Sequence, residues 1–502
     1  MSGQARVCIG IIIKFEWYIG PFYRKLTIGT LPDDVLLEIF GFYVYEAGGD
    51  KWHTLVHVSR RWRNVVFASP RRLRLRLLCK PNRSVKEMLD IWPELPITIS
   101  DWRLEWYRHP ITVENVENVI SALELKDRVA KITLRVSSSE MERFAAVMQD
   151  PFLALTQLDI WLDDEMAPVM SDSFLGGSAP QLQDLRLSRI PFPALPNLLL
   201  SATDLVTLDL WKIPHSGYIS PEAMVTCLSA LTRLKSLTLG FQSPLSRPAQ
   251  ANRRPPPPTR TILPALIGFT FGGVTEYLED LVARIDAPLL VEIFITFFNQ
   301  LVFDLLQLPK FLCRTETFSV LEHAQVDFGE HFTRVNFSSL TETFDETLLS
   351  LTISCRELDW QLSSLSQICN SALVNLSTVE YLFLDRNVFD KYPRFIEDDI
   401  QWLELLHLFT NVIDLYISKK VGPYIAPALQ ELAGKRVTEI LPTLQNVFLD
   451  GFSGEPDEPD LVPKAISEFV AARQLPGCPV AIHRRSWDSK SRTWVVTESS
   501  TQ

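Results

Sequence analysis

A short pattern of hydrophobic positions, apolar-x-x-apolar-x-apolar, recurs along most of the chain. Its clear copies are centred, at the second apolar residue, on Leu185, Leu208, Leu237, Leu351, Leu382, Leu415 and Val447, and its weaker copies on Ile132, Leu158, Leu266, Ile293 and Leu321. Successive centres lie between 23 residues (Leu185 to Leu208) and 33 residues (Leu382 to Leu415) apart. A period of this length indicates stacked repeats of one supersecondary unit.

Each repeat is predicted to be one short strand followed by one helix. The last two apolar positions of the pattern alternate, which places both side chains on one face of a strand. After the helix start at Ser220-Pro221, four apolar residues fall on one helical face: Met224, Val225, Leu228 and Leu231. A single strand and helix cannot bury their apolar faces, whereas stacked copies can. The pattern therefore predicts an α/β solenoid over residues 129–485.

One copy carries more of a known consensus. The run Val379-x-x-Leu382-x-Leu384-x-x-Asn387-x-Phe389 resembles the full leucine-rich-repeat pattern. The resemblance covers roughly residues 129–449 and implies a curved solenoid, with parallel strands lining the concave face and helices outside. The proline-rich stretch 243–259 is predicted to be a solvated loop of this solenoid, because proline continues neither a strand nor a helix.

The resemblance also indicates which side chains would meet a partner. In a leucine-rich-repeat strand, the residue between two buried apolar positions faces the concave surface, and so does the next outward one. The predicted target-binding residues are Trp161, Arg186, Trp211, Phe294, Phe383, Tyr416 and Phe448, together with Asp159, Asp209 and Phe269. Aligned aromatic side chains on a rigid surface are frequent binding hot spots. A register shift of one residue would turn all of these side chains to the other face.

Two helices are predicted ahead of the repeats. Pro32 and the two acidic residues after it suit a helix start, because acidic groups stabilise the positive end of the helix dipole. Apolar residues then recur at helical spacing as far as Phe40, Gly48-Gly49 break the chain, and a second helix is predicted over Trp52–Arg63. On this pattern alone the segment is a helical cap for the solenoid, since terminal repeats need covering.

The same segment carries a family resemblance. The run Leu31-Pro32-x-x-Val35-Leu36-Leu37-x-Ile39-Phe40, a short gap, and then Val58-x-Arg60-x-Trp62-Arg63 look like an F-box, placed here at residues 31–76. The resemblance implies docking on a Skp-family adaptor, which links to a cullin–RING ubiquitin ligase. The positions that match residues forming or supporting that interface are Leu31, Pro32, Leu36, Ile39, Phe40, Val58 and Trp62. Two departures from the family pattern are Ser59, where cysteine is frequent, and Gly48-Gly49, where a compact Asp-Leu turn is common.

An F-box followed by leucine-rich repeats is typical of substrate receptors, and the whole chain is similar to the large F-box families of mushroom-forming fungi. The resemblance implies a substrate-recognition subunit of an SCF-type ubiquitin ligase, which would capture an unknown target protein with its repeats. The thioester chemistry would belong to other subunits, so no catalytic residue is expected. The alternative is a leucine-rich-repeat scaffold without a ligase role, which burial of the helical segment's apolar side chains against the solenoid would favour. A third hypothesis is a hydrolase or transferase whose site is unlike known motifs.

Composition further narrows the classes of protein to which the chain could belong. The 502 residues carry a formal net charge of −11, which argues against a general nucleic-acid binder. The seven cysteines are dispersed without a C-x-x-C pair, as in a reduced cytoplasmic or nuclear protein. No later apolar run has the length of a membrane helix, and no phosphate-binding or nucleophile-elbow motif occurs. His53 and His57 have zinc-ligand spacing without a general-base Glu between them, so neither metal nor cofactor is expected.

The remaining segments are predicted from simpler patterns. Residues 1–30 are an apolar leader, residues 77–128 a linking or capping region, and residues 486–502 a disordered tail. Between Arg71 and Leu77, basic and apolar residues partly alternate. This favours an amphipathic strand with one basic, solvated face over a nucleic-acid patch.

Overall fold

The computed structural model describes most of the chain as two compact units. It describes residues 28–46, 52–79, 87–89, 92, 94–100, 113–164, 168–243, 259–298, 303–339, 347–355, 358–372, 376–386, 399–432, 438–451, 461–474, 477–488 and 493–500. The first unit comprises residues 1–79 and 83–98, and the second comprises 80–82 and 99–502. Nearly all of the leader and of the proline-rich loop lies outside the described residues.

The first unit is mainly helical. It contains α1 (Asp33–Glu46), α2 (Trp52–Val56), α3 (Arg60–Ala68) and the short strand β1 (Leu77–Cys79), which pairs with β2 (Ile97–Ser100). The predicted second helix is thus two helices. The Ser59 hydroxyl accepts a hydrogen bond from the Trp62 N–H and caps α3. Because the backbone of this capping residue is extended, α2 and α3 are separate helices.

The predicted strand between Arg71 and Leu77 is mostly absent. The chain turns at residues 70–74, where Arg74 has a φ of 48°, and extended structure begins only at Leu77. Leu73, Leu75 and Leu77 are nevertheless all buried, while Arg72 and Arg74 are exposed. The alternating sequence therefore predicts correctly which side chains are buried. The backbone that buries the first of them is a turn and not a strand.

The second unit repeats a strand and a helix or turn. Its further strands are β3 (Val129–Val136), β4 (Gln157–Leu162), β5 (Asp184–Ser188), β6 (Thr207–Ile213), β7 (Ser236–Phe241), β8 (Thr261–Ile262), β9 (Gly268–Gly273), β10 (Ile285–Asp286), β11 (Glu292–Phe297), β12 (His323–Phe328), β13 (Thr333–Ser338), β14 (Leu349–Ile353), β15 (Tyr381–Arg386), β16 (Asp414–Ser418), β17 (Asn446–Asp450), β18 (Ala481–Asp488) and β19 (Thr493–Ser500). Its helices are α4 (Val113–Leu123), α5 (Ser138–Val147), α6 (Leu195–Ser201), α7 (Pro221–Ala230), α8 (Thr275–Val282), α9 (Leu308–Leu312), α10 (Leu358–Ala372), α11 (Asp399–His407), α12 (Gly422–Leu432) and α13 (Leu461–Gln474).

Consecutive helices pack beside one another and cover one face of the sheet. The predicted helix start at Ser220 is confirmed, since its hydroxyl caps α7, whose Met224 and Leu228 are buried. Ser137 and Glu140 form a reciprocal capping box at the start of α5. Along each strand, buried apolar residues alternate with residues that are more accessible. The second unit is therefore an α/β repeat solenoid with its core between the strands and the helices.

The strands are parallel in two blocks. The first runs β3, β4, β5, β6, β7, β9 and β11, and the second runs β15, β16, β17 and β18. Between them, β11 pairs in parallel with β14, β14 and β12 each pair antiparallel with β13, and β12 pairs in parallel with β15. The copies centred on Leu321 and Leu351 are thus exchanged in space, which corrects the prediction of parallel stacking in chain order. A tight turn causes this, as Gly329 N–H donates to the Phe332 carbonyl and sends the chain back along β12.

Two further predictions differ from the structure. Phe269 lies in register with Leu237 and is buried, so it belongs to the core and not to the open surface. The sequence pattern centres this copy on Leu266, whereas the strand begins at Gly268. The predicted disordered tail instead continues β18 through Asp488 and forms β19, which pairs antiparallel with β18.

Candidate partner-binding surfaces

The sheet has an open face on the side away from the helices. We define the open face by the strand positions in register with Arg186, together with those two residues before and after. From β4 to β18, the register row is Asp159, Arg186, Asp209, Thr238, Thr270, Phe294, Ser350, Asn336, Gln325, Phe383, Tyr416, Phe448 and His483. This row changes from charged to polar to aromatic along the sheet.

The first part of the open face carries alternating charges. Arg186 lies in register between Asp159 and Asp209, and each carboxyl has a pKa raised by burial and lowered in part by the charge of Arg186. The indole Nε1 of Trp161 donates to Asp159 Oδ1 over 2.6 Å. Trp161 and Arg186 are both exposed, so this region presents a cation and an aromatic ring to solvent.

Trp211 lies across two glycine-containing strands. A Cβ added at Gly240 would overlap the Trp211 ring, and one added at Gly272 would meet Trp211 Cη2 at 3.6 Å. Gly240 and Gly272 are in register on β7 and β9. The two glycines therefore leave room for the indole ring to lie on the sheet.

We expect Gly240→Ala to lower the free energy of unfolding of the repeats by about 1–3 kcal/mol, because the new methyl group must displace the Trp211 ring. Thermal melts followed by far-ultraviolet circular dichroism would measure the change. Gly41→Ala is the matched control, because a Cβ added at Gly41 meets nothing within 4 Å. Gly41 lies within α1, where alanine favours the helix more than glycine does. Equal stability of the Gly240→Ala variant and the unaltered protein would contradict this placement of the ring.

The middle of the open face is a polar network. Gln325 Nε2 donates to Asp327 Oδ1 over 2.9 Å, and Asn336 Nδ2 donates to Asp327 Oδ2 over 3.4 Å. The Ser350 hydroxyl donates to Asn336 Oδ1 over 2.8 Å. Burial raises the pKa of Asp327, and the Asp385 carboxylate adds to this, whereas the hydrogen bond from Gln325 and the charge of Arg334 lower it. The network spans β12, β13 and β14, the strands that lie between the two parallel blocks.

Four rings stack on consecutive strands to form what we call the aromatic ladder: Phe383, Tyr416, Phe448 and His483. The ring centroids of Phe383 and Tyr416 are 4.0 Å apart, those of Tyr416 and Phe448 are 4.5 Å apart, and those of Phe448 and His483 are 4.8 Å apart. The first two pairs are within 10° of parallel. Stacking favours one fixed arrangement of the rings, so the ladder is ordered before any partner binds.

An arginine of the chain itself is bound to the ladder. The Cζ atom of Arg485 lies 4.3 Å from the Tyr416 ring centroid and 5.2 Å from that of Phe448. Its Nε and Nη2 donate to the two carboxylate oxygens of Asp450 over 2.8 Å and 2.7 Å. Burial raises the pKa of Asp450, while the hydrogen bonds and charge of Arg485 lower it. The ladder thus combines a cation–π contact with a bidentate carboxylate contact.

The structure places all seven predicted target-binding residues on the open face. Phe294 lies apart from the ladder, beside the polar network, and Tyr416 is almost covered. Sequence reasoning missed His483, Arg485 and Asp450. A usable signal was present for His483, because Val480 and Ile482 repeat the alternation of a strand after α13.

The helical unit divides its predicted adaptor-binding residues into two groups. Leu36, Phe40 and Trp62 are buried in the interior of the unit, and the rings of Phe40 and Trp62 are 4.7 Å apart. Pro32 is exposed, Leu31 and Ile39 are half-buried, and Val58 is 60% exposed. The three buried side chains hold the helices together, so direct contacts with a partner would fall to the others.

One face of α1 leaves large apolar side chains in solvent. We call the exposed Val35, Phe42 and Tyr45, together with the half-buried Ile39, the α1 stripe, since they recur at helical spacing. Phe42 is 70% exposed and Tyr45 is 83% exposed. Neither was singled out from the sequence, although both follow the helical spacing set by Val35.

Comparisons with known proteins add little to this picture. No family model matches the chain, and a search of curated proteins finds no match. Among solved structures, the chain is similar to the crystal structure of the leucine-rich repeat-containing protein LegL7 from Legionella pneumophila. The identity is 14%, the match covers 68% of this chain and 90% of that chain, and the TM-score is 0.26.

Two other features bear on function. Within the described residues, no cluster of His, Cys, Asp and Glu side chains could hold a metal ion. Across the same ranges, no helix has the length and apolar character needed to cross a bilayer.

Proposed function

We propose that the chain is the substrate-recognition subunit of an SCF-type cullin–RING ubiquitin ligase. The helical unit docks on a Skp-family adaptor, and the open face of the repeats captures the target protein. The resemblance of residues 31–76 to an F-box supports the first part. The ordered rings and charges of the open face support the second part.

The observation that carries the proposal is the exposed α1 stripe. Phe42 and Tyr45 lie on the face of α1 opposite Leu36 and Phe40, which fill the interior of the unit. Burying a large side chain of this kind contributes about 1.5–3 kcal/mol. A contiguous exposed apolar row marks a surface that a partner covers. A Skp-family adaptor is the occupant that the F-box resemblance indicates.

In this role the chain supplies proximity and no bond chemistry. A target held on the open face has its lysines kept at high effective concentration near the charged ubiquitin carrier. The partner-binding residues need only affinity and orientation, which matches a surface of stacked rings and paired charges.

The test is adaptor binding by a variant that keeps the interior of the helical unit intact. We expect the Phe42→Asp/Tyr45→Asp variant to lose binding to a purified Skp-family adaptor by about a hundredfold or more, because two charges would enter an apolar interface. Titration calorimetry with full-length protein would measure the affinity.

The matched control is Leu153→Asp/Leu200→Asp, which places the same charges at exposed leucines of the repeats. This control should bind the adaptor as the unaltered protein does. Absence of binding by well-folded unaltered protein, or equal binding by both variants, would reject the ligase proposal. A protein-interaction scaffold would then be favoured, because the aromatic ladder is complete without the helical unit.

A further inference from the structure

The turn that follows α3 brings exposed arginines together. We call Arg71, Arg74 and Arg76 the arginine turn. The Arg74 N–H donates to the Arg71 carbonyl over 3.2 Å, which places these two residues at the two ends of a tight turn. Both are exposed, and within the described residues neither side chain forms an ion pair or a hydrogen bond. Two guanidinium groups are therefore available to a partner at this turn.

The positive charge of this region is not balanced locally. Residues 52–79 contain seven arginines and no Asp or Glu. Two of the seven form ion pairs with acidic residues of α1. Burial lowers the pKa of Arg76, and the charge of Arg74 lowers it further, so these two side chains repel each other. An anion bound at the turn would offset this repulsion.

The backbone of Arg74 is strained. Its φ of 48° lies in the left-handed region, which a residue with a Cβ adopts at a cost in free energy. Leu73 and Leu75 on either side are both buried, whereas Arg74 is exposed. Strained positions of this kind cluster at ligand-binding sites. The strain at Arg74 is therefore consistent with a side chain that contacts a partner.

The arginine turn lies beside the α1 stripe. Glu38 lies three residues after Val35 and four residues before Phe42, so its side chain is on the same face of α1 as the stripe. Arg72 lies inside the turn and forms an ion pair with Glu38. The helical unit therefore presents an apolar row and a group of cations next to each other. A partner that covers the apolar row also reaches the cations.

We propose that the arginine turn binds a segment rich in Asp and Glu on the protein that covers the α1 stripe. A guanidinium group can bind a carboxylate with two parallel hydrogen bonds. Charges at the rim of an apolar interface raise the association rate and fix the orientation of the partner. This inference rests on the proposed function, because it assigns a charge to the partner that docks on α1.

A nucleic acid fits this surface less well than an acidic protein segment. Proteins that bind single strands combine cations with exposed rings on which the bases stack. The residues that alternate with the arginines here are the buried Leu73 and Leu75. The whole chain carries a formal net charge of −11, which repels a long polyanion. A short acidic segment meets mainly the local positive charge.

The experiment measures the fluorescence anisotropy of a labelled Gly-Glu repeat peptide with six glutamates, titrated with the full chain. Titrations are made at about 0.01 M salt, where the screening length is about 30 Å, and at about 0.15 M, where it is about 8 Å. A Gly-Gln repeat keeps the length without the charge, and an oligothymidine supplies the same number of charges as phosphates. We expect the glutamate peptide to bind at low salt and about tenfold more weakly at the higher salt. The glutamine peptide should not bind.

Two double variants locate the site. Arg71→Gln/Arg74→Gln should weaken binding of the glutamate peptide at low salt by about fivefold or more, because both exposed guanidinium groups are removed. Lys310→Gln/Lys420→Gln removes the same charge from exposed positions of the repeats and should change binding less than twofold. Circular dichroism shows whether each variant remains folded.

Equal binding of the glutamate peptide by the two double variants would overturn the proposal. Tighter binding of the oligothymidine through the same two arginines would also overturn it and would favour a nucleic-acid partner. The peptide titration needs no adaptor, so loss of peptide binding in Arg71→Gln/Arg74→Gln supports the proposal even where no Skp-family adaptor binds. Adaptor binding that is lost in Phe42→Asp/Tyr45→Asp but is unchanged in Arg71→Gln/Arg74→Gln at both salt concentrations would support the proposed function and reject this inference.

Discussion

Replacing Phe40 with alanine is expected to lower the free energy of unfolding of the helical unit by about 3–5 kcal/mol. The Phe40 side chain is fully buried and packs against Trp62, with ring centroids 4.7 Å apart. The substitution leaves a cavity between α1 and α3 that short helices fill poorly. A unit of this size has little stability in reserve, so a loss of this magnitude unfolds much of it at 37 °C.

Phe42→Ala is the matched control, because the same residue type is removed two positions further along α1. Phe42 is 70% exposed, so its loss should change the stability of the unit by less than about 0.5 kcal/mol. Hydrogen exchange of residues 33–68 would separate the two variants. Fast exchange is expected in Phe40→Ala alone, whereas adaptor binding is expected to weaken in both. Protection of α1 in Phe40→Ala would show that Phe40 is not a core residue.

Arg485→Leu is expected to lower the free energy of unfolding of the repeats by about 3 kcal/mol at pH 7, because removal of one partner leaves a mostly buried carboxylate without its counter-charge. Side chains of Arg485 and Asp450 are only 14% and 10% accessible, and they form a bidentate pair. Stacking of the guanidinium over Tyr416 is lost as well. Denaturant unfolding of the full chain would measure the effect.

The penalty of Arg485→Leu should depend on pH. Burial already raises the pKa of Asp450, and the variant lacks the hydrogen bonds and charge that lower it. A carboxyl whose pKa is higher in the folded state than in the unfolded state destabilises the fold when it is ionised. The cost is therefore full above its folded pKa and disappears as the pH falls to the unfolded pKa of about 3.9. We expect a smaller difference from the unaltered protein at pH 4.5 than at pH 7.

Arg233→Leu is the control for both measurements. Arg233 pairs with Asp204 over 2.9 Å, but the Arg233 side chain is 61% accessible and that of Asp204 is 48% accessible. Solvent therefore screens the pair. Its loss should cost less than about 1 kcal/mol and show little dependence on pH. An equal cost for the two arginines would mean that the Arg485 site is solvated.

Short-range patterns predicted the repeat units well. The alternation in copies such as Leu182-x-x-Leu185-x-Leu187 marks a strand with one buried face. Side chains at every second position of a strand point to the same face, so apolar residues at these positions are buried together. Ser220-Pro221 marked the start of α7 because both residues favour a helix N-terminus locally. These signals act within a few residues and need no knowledge of the rest of the fold.

The predicted strand register was wrong where two matches to the repeat pattern overlap. Leu263 and Leu266 fit the repeat pattern, and so do Leu266, Phe269 and Phe271 three residues later. All four side chains are buried, so hydrophobicity could not choose between them. Only the pairing of β9 with β7, which sets Leu237 beside Phe269, placed Phe269 in the core.

For the partner-binding surfaces as well, the sequence predicted some features and the tertiary structure alone decided others. The sequence by itself determined that units of strand and helix recur from Val129 onward, that helices precede them, and that aromatic residues recur at the open positions of the later strands. Only the tertiary structure decided that β12 and β14 exchange places, that Arg485 on β18 reaches across β17 to Tyr416, and that Phe40 is buried while Phe42 is exposed. The physical reason is range: helix and strand preferences act between near neighbours, whereas strand order, stacking and burial depend on residues that meet only after the chain has folded.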